Sequence, residues 1–294
     1  MCMIIPKIIW NFSGSCNNDC WYCHSTFRNY PYYKTTEEYL HVIDLIQNHG
    51  QRSLIPKMNW KFKGGEPLQF TNFNILLKQI KTKDSHITIE TSGGNSWFDI
   101  LEVSGNVDEL ILTHHYWQNE TVLDYLIDFM QEQDKKIKVF VPMLPDKINE
   151  CRAIVQGLKD RGVEAIEQLL LNEQGGSIEK YSLRDLNIYY RRPEDWTPPP
   201  PAPPVPRDPN LPDPVWVDPR IDDGAPVYTG KPCWAGVDYM HIDVKGWARG
   251  SDCNGRNLGN VFEPEWLPPD SSFACPMMFC RSNNDKRNIR INQN

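Results

Sequence analysis

Three cysteines crowd one short segment of the chain. Residues 13–24 read Ser-Gly-Ser-Cys-Asn-Asn-Asp-Cys-Trp-Tyr-Cys-His, which spaces Cys16, Cys20 and Cys23 as C-x3-C-x2-C. The segment follows directly on the strand-like run KIIWNF at 7–12, so the thiols lie on a loop at a strand end. Three close thiolates on a loop suit three irons of a [4Fe–4S] cluster, with the fourth iron open to a substrate or cofactor. Zinc is the competing reading. It takes four ligands, and His24 stands next in line as the fourth.

Three further motifs sit at strand ends. Met58, Trp60 and Phe62 alternate as a strand requires and run into Gly64-Gly65-Glu66-Pro67. The glycines let backbone carbonyls approach a ligand closely, and Glu66 brings a charge suited to an ammonium group. Read alone, the segment is an ordinary turn. Glu90-Thr91-Ser92-Gly93 closes the run HITIETS at 86–92 with polar side chains, which also simply ends a strand. His114 and His115 close the run at 108–114. Neighbours on a strand point to opposite faces, so at most one of the two faces a site; the bland reading is a pair of solvated loop histidines.

In this order, these motifs resemble the radical SAM superfamily, over roughly residues 7–173. The resemblance implies that Cys16, Cys20 and Cys23 hold a [4Fe–4S] cluster that binds S-adenosylmethionine (SAM). It puts Tyr22, the aromatic before the last cysteine, beside the adenine. Gly64, Gly65, Glu66 and Pro67 would bind the amino group of the methionine moiety, Thr91 and Ser92 would contact SAM, and His114 would touch its ribose or carboxylate. Pro142, Met143 and residues 168–171 are candidate adenine contacts, although the Gly-rich fifth-strand motif of many members, which would support them, is not visible here. The chemistry implied is reductive cleavage of SAM to a 5′-deoxyadenosyl radical that takes a hydrogen atom from a substrate, with flavodoxin or ferredoxin as electron donor.

A second set of cysteines follows: Cys233, Cys253, Cys275 and Cys280, with gaps of x19, x21 and x4. Residues 233–253 resemble the auxiliary-cluster extension of the SPASM/twitch group, in which a small hairpin (here Ile242-Asp243 and Gly246) lies between two ligands. Four cysteines suit one auxiliary [4Fe–4S] cluster, the smaller twitch form, and by count they suit zinc equally. Cys151 lies on an apolar helix face and reads as a core thiol; Cys2 reads as incidental.

The elements that must position these residues alternate between strand and helix. A helix begins after Thr35 with Glu38 closing a capping box, and its apolar face is Tyr39, Val42, Ile43 and Ile46. A short helix spans about 72–81. Leu123, Leu126, Ile127 and Met130 mark another, and Ile148, Cys151, Val155 and Leu158 a further one. Runs at 136–142 and 166–172 complete six strands. Repeated βα units imply a parallel sheet covered by helices. Six units are too few to close an eight-stranded barrel, so the expected fold is α/β, a partial (β/α)6 barrel with its site at the C-terminal strand ends, followed by a cysteine-rich, twitch-like region.

Composition bounds the rest. Of the 24 prolines, 12 fall in residues 193–219, a stretch that can form neither helix nor central strand. The expected division is a barrel over 1–192, a Pro-rich linker or strap over 193–224, and an auxiliary-cluster region over 225–294. A net charge of −7 argues against a generic nucleic-acid binder. No apolar run reaches the ~18 residues of a membrane span. The residues from Met1 to Trp10 lack the basic region and cleavage site of a signal peptide. Nine cysteines without a secretion signal point to metal ligation in a reducing cytoplasm rather than to disulfides. The resemblance favours oxidative modification of a peptide or protein side chain. The alternatives are modification of a nucleotide, a nucleobase (free or in nucleic acid) or another small molecule, and a non-catalytic metal-binding scaffold.

Overall fold

The computed structural model describes residues 5–18, 20, 22–23, 34–49, 57–93, 97–118, 120–170, 181, 232–250 and 257–274. His24, the Pro-rich run at 193–219, Cys253, Cys275 and Cys280 lie outside them. Six strands come first: β1 (Lys7–Asn11), β2 (Asn59–Lys63), β3 (His86–Thr91), β4 (Glu109–Thr113), β5 (Lys136–Met143) and β6 (Glu164–Leu169). The helices between them are α1 (Thr36–Asn48), α2 (Phe73–Lys81), α3 (Trp97–Ser104), α4 (Glu120–Glu132) and α5 (Ile148–Asp160). Each strand pairs in parallel with the next. Sheet order therefore follows chain order, as in a partial (β/α)6 barrel.

Local chemistry explains the elements. Thr35 Oγ1 accepts from the Glu38 backbone while Glu38 accepts from the Thr35 N–H, which closes the capping box at the start of α1 and contributes about 1 kcal/mol. Tyr39, Val42, Ile43 and Ile46 are all buried, as their spacing requires. In β2, Trp60 and Phe62 point inward with Lys61 between them. They join Trp10, Phe12, Tyr39, Phe70 and Phe73 in an aromatic core beneath β1 and β2. Cys151 is fully buried on α5.

Five short strands follow: β7 (Pro232–Cys233), β8 (Tyr239–Ile242), β9 (Trp247–Arg249), β10 (Asn257–Asn260) and β11 (Phe273–Ala274). The hairpin expected near Asp243 and Gly246 joins β8 to β9. Asp243 Oδ1 accepts from the Lys245 and Trp247 backbones, and Gly246 takes φ +85°, a conformation that favours glycine. This hairpin does not stand apart from the barrel. β8 pairs in parallel with β1, so one nine-stranded sheet runs β10-β9-β8-β1-β2-β3-β4-β5-β6. Phe262, beyond β10, packs on Trp10 and Tyr39. No helix among the described residues is long and apolar enough to cross a membrane.

Candidate active site

The C-terminal ends of the parallel strands surround a cavity of about 330 Å³. The loop after β1 contributes Cys16, Asn18, Cys20, Tyr22 and Cys23, and β2 contributes Gly64 and Gly65. Glu90, Thr91 and Ser92 come from β3, Thr113 and His115 from β4, Pro142 from β5, and Gln168, Leu169 and Leu170 from the end of β6. The three cysteines of the C-x3-C-x2-C segment thus share one wall. Cys16 and Cys23 are exposed there and Cys20 is buried.

The cysteine loop is clamped to the end of β2. The Glu66 N–H donates to the Ser15 carbonyl at 2.8 Å, and Ser15 Oγ donates to Gln69 Oε1 at 3.0 Å. Gly65 takes φ +50°, and a β-carbon there would collide with the carbonyl oxygens of Ser13 and Ser15. Gly64, at φ +86°, packs on Asn11. Both glycines line the cavity, yet the close approaches that demand them lie within the protein, Gly64 to the end of β1 and Gly65 to the cysteine loop.

Glu66 and Pro67 do not line the cavity, and the Glu66 carboxylate, expected beside an ammonium group, makes hydrogen bonds inside the protein. Glu66 is 0% exposed. Its Oε1 accepts from Thr91 Oγ1 at 2.5 Å and from the Leu68 N–H at 3.1 Å. Its Oε2 accepts from the Ser92 N–H and the Ser92 hydroxyl, both at 2.8 Å. Four internal donors hold the carboxylate, which ties β2 to the end of β3. Pro67 starts a buried 3-10 turn. Ser92 in turn accepts from Asn18 Nδ2 at 2.7 Å, so the network reaches back into the cysteine loop.

The histidine pair divides as strand geometry demands, but the other way round from the sequence expectation. His114 is 2% exposed, does not line the cavity, and leaves Nε2 without a hydrogen-bond partner. Its pKa is lowered by burial. His115 shares a face with Thr113 and meets the cavity. Its Nδ1 lies 2.5 Å from the Tyr22 hydroxyl, its Nε2 lies 3.7 Å from Cys20 Sγ, and its ring stacks on Trp117 at 4.8 Å and 8°. Burial, helped by His114, pushes the His115 pKa down to about 4. The polar Thr113 at the end of an apolar strand was the available signal: two residues on, His115 shares its face. Gln118, also unforeseen, accepts from the His115 N–H at 2.7 Å and donates to the Ser92 carbonyl at 3.0 Å. Of the remaining expected contacts, Met143 is fully buried behind Pro142, and Leu171 lies outside the described residues.

The donor chemistry fits an iron–sulfur cluster. Burial pushes the Cys20 thiol up, and Cys16 and Cys23 push it the same way; bound iron reverses that logic and holds thiolates. Among the described residues no three His, Cys, Asp or Glu side chains are drawn tightly enough for a single ion. A cubane asks for less, because each thiolate takes its own iron. Around Cys233, β7 pairs with β11, with Phe273 opposite Cys233 and Ala274 opposite Pro232. Gly250, at the end of β9, packs so closely on Ala235 that a β-carbon would lie 2.8 Å from its carbonyl carbon. The chain positions that lead into Cys253 and Cys275 are thereby carried to the neighbourhood of Cys233.

Residues 10–133, which carry the strand-end cysteine triad on the sequentially ordered βα sheet, match the sequence model of the Radical SAM superfamily. The matched span runs from β1 to the end of α4, less than half of the chain. The 7-carboxy-7-deazaguanine synthase of Rhodopirellula baltica is 22% identical over 179 residues, which cover 57% of this chain and 66% of that enzyme. Streptococcus suis SuiB superposes with a TM-score of 0.51 at 15% identity, covering 89% of this chain and 64% of SuiB. The structure of anSMEcpe with bound AdoMet gives 0.53 at 12% identity, over 87% of this chain and 75% of that one. The chain thus spans a little under two thirds of the length of the synthase and of SuiB.

Proposed function

We propose that this chain cleaves S-adenosylmethionine reductively and uses the product for hydrogen abstraction in the oxidative modification of a peptide or protein side chain. One observation carries the first part: the three thiols of the β1 loop, the β2 glycines and the polar end of β3 face a single cavity. When bound, the cluster and SAM supply a 5′-deoxyadenosyl radical. The chain's residues do the rest. Cys16, Cys20 and Cys23 hold the cluster, and Glu66 and Ser92 fix the loop that carries them. Gly64, Gly65, Thr91 and Ser92 offer backbone and hydroxyl groups to SAM, and Tyr22 flanks its adenine. Leu169, Leu170 and Pro142 keep water from the far wall.

The peptide reading draws on the fold shared with anSMEcpe, of which one structure holds AdoMet and the Kp18Cys peptide. A second cluster at Cys233, Cys253, Cys275 and Cys280 would accept the electron given up when the substrate radical is oxidised, and flavodoxin or ferredoxin would deliver the electron that cleaves SAM. A second reading, a nucleobase or related heterocycle as substrate, is favoured by the exposed pair Tyr116 and Trp117 beside the cavity. Planar bases stack on such rings, and the Rhodopirellula relative is, by its name, a synthase of 7-carboxy-7-deazaguanine. The test is anaerobic incubation of the reconstituted protein with SAM and dithionite. Formation of 5′-deoxyadenosine and methionine, abolished by Cys20→Ala, is expected; a Cys20→Ala variant as fast as the parent would sink the reading. Faster 5′-deoxyadenosine formation with a peptide pool or with a purine pool separates the two substrate classes.

A further inference from the structure

Cys20, Tyr22 and His115 form a closed triangle on the cavity wall. His115 Nε2 lies 3.7 Å from the Cys20 sulfur and Nδ1 lies 2.5 Å from the Tyr22 hydroxyl oxygen. That hydroxyl is also within hydrogen-bonding reach of the sulfur. The imidazole is held on every side. It is 4% exposed, Trp117 stacks on its plane, and Gln118 holds its backbone N–H. Cys20 is the buried member of the triad, while Cys16 and Cys23 are exposed. Its sulfur therefore has the least water available as a hydrogen-bond donor.

A neutral imidazole has one N–H, so the triangle has two arrangements. In one, the Tyr22 O–H donates to Nδ1, and Nε2–H points at the sulfur. In the other, Nδ1–H donates to the Tyr22 oxygen, the hydroxyl donates to the sulfur, and a bare Nε2 faces it. A thiol tolerates either, because S–H can donate to the bare nitrogen. An iron-bound thiolate has no proton, and the second arrangement then sets a nitrogen lone pair against an anionic sulfur in a buried site, which is unfavourable. A doubly protonated ring also presents N–H to the sulfur.

We propose that His115, oriented by Tyr22, donates an N–H···S hydrogen bond to the Cys20 thiolate of the SAM-binding cluster and raises that cluster's reduction potential. This rests on Cys20 being a cluster ligand. The sense follows from charge. Reduction adds one electron from the external donor and moves no proton, and the added negative charge spreads onto the ligating sulfurs. A donor aimed at one of them stabilises the reduced form more than the oxidised form. Tyr22 acts through His115 and is a positioning residue.

The experiment is a mediated dithionite titration of the anaerobically reconstituted full chain. It follows the EPR signal that changes when SAM is added, which marks the site cluster. His115→Phe should move the midpoint to a more negative potential. Tyr22→Phe should move it the same way by less, and the double variant should move it no further than His115→Phe alone. In the parent, 15N-histidine labelling should give a weak nitrogen coupling to the reduced cluster. An unchanged midpoint in an iron-replete His115→Phe protein overturns the proposal, and weaker SAM binding alone would make the residue a cofactor contact instead. A Tyr22→Phe shift of equal size with or without His115 also overturns it, since the hydroxyl would then bond the sulfur directly. Should His115→Phe fail to hold iron, absence of the nitrogen coupling in the parent decides against it. Absence of any SAM-responsive signal in the parent refutes the cluster assignment itself, a distinct failure.

Discussion

A β-carbon on Gly65 would lie 2.5 Å from the carbonyl oxygen of Ser13, and closer still to that of Ser15. Backbone cannot retreat as a flexible side chain can, so Gly65→Ala must displace the cysteine loop. The positive φ adds about 1–3 kcal/mol of strain. Gly65→Ala is expected to lower iron bound per chain after reconstitution by at least half. Gly162→Ala is the control: it has φ +77° with open space around the new carbon, so it should cost stability without loss of iron. Equal iron loading in both variants would contradict the clamp.

Glu66 yields a prediction that separates a structural carboxylate from a cofactor contact. Its two oxygens accept four hydrogen bonds inside the protein. Glu66→Gln replaces one acceptor with a donor that faces other donors, which costs ~2 kcal/mol. A lower thermal midpoint in the absence of SAM is expected, with the loop carrying Asn18 and Cys20 loosened through Ser92. Unchanged apo stability combined with weaker SAM binding would return Glu66 to the role first read from the motif.

Much of this arrangement was legible because it is local. The capping box at Thr35 and Glu38 and the alternation of Met58, Trp60 and Phe62 are each decided within a few residues. Helix α3 was not foreseen. Its sequence WFDILEVS spans only eight residues, too few for a helical period to stand out. The pairing of β8 with the free edge of β1 joins segments more than two hundred residues apart, and nothing local selects that edge. The types of the site residues were readable but their directions were not. Glu66 follows two glycines into a turn that swings it inward, and the choice between His114 and His115 is a question of strand parity.

The C-terminal cysteines predict a metal count. With two four-iron clusters, anaerobic reconstitution should give about eight irons and eight sulfides per chain. Replacing Cys16, Cys20 and Cys23 together by Ala should halve both. Cys233→Ala should leave about four irons and leave SAM cleavage intact while slowing complete turnover. Stoichiometric zinc in the natively purified protein, with about four irons after reconstitution, would assign the second site to zinc.

His114 supplies the converse of His115. It is buried, its Nε2 has no partner, and it faces away from the cavity. A buried polar atom without a partner is a liability, and replacing it with an apolar group of similar size is close to neutral. His114→Leu should therefore keep the unfolding free energy within about 1 kcal/mol of the parent or raise it. It should bind iron fully and cleave SAM at the parental rate and KM. A raised KM for SAM in this variant at full iron loading would mean that His114 reaches the cofactor after all. The parity argument that assigns the cavity face to Thr113 and His115 would then fail with it.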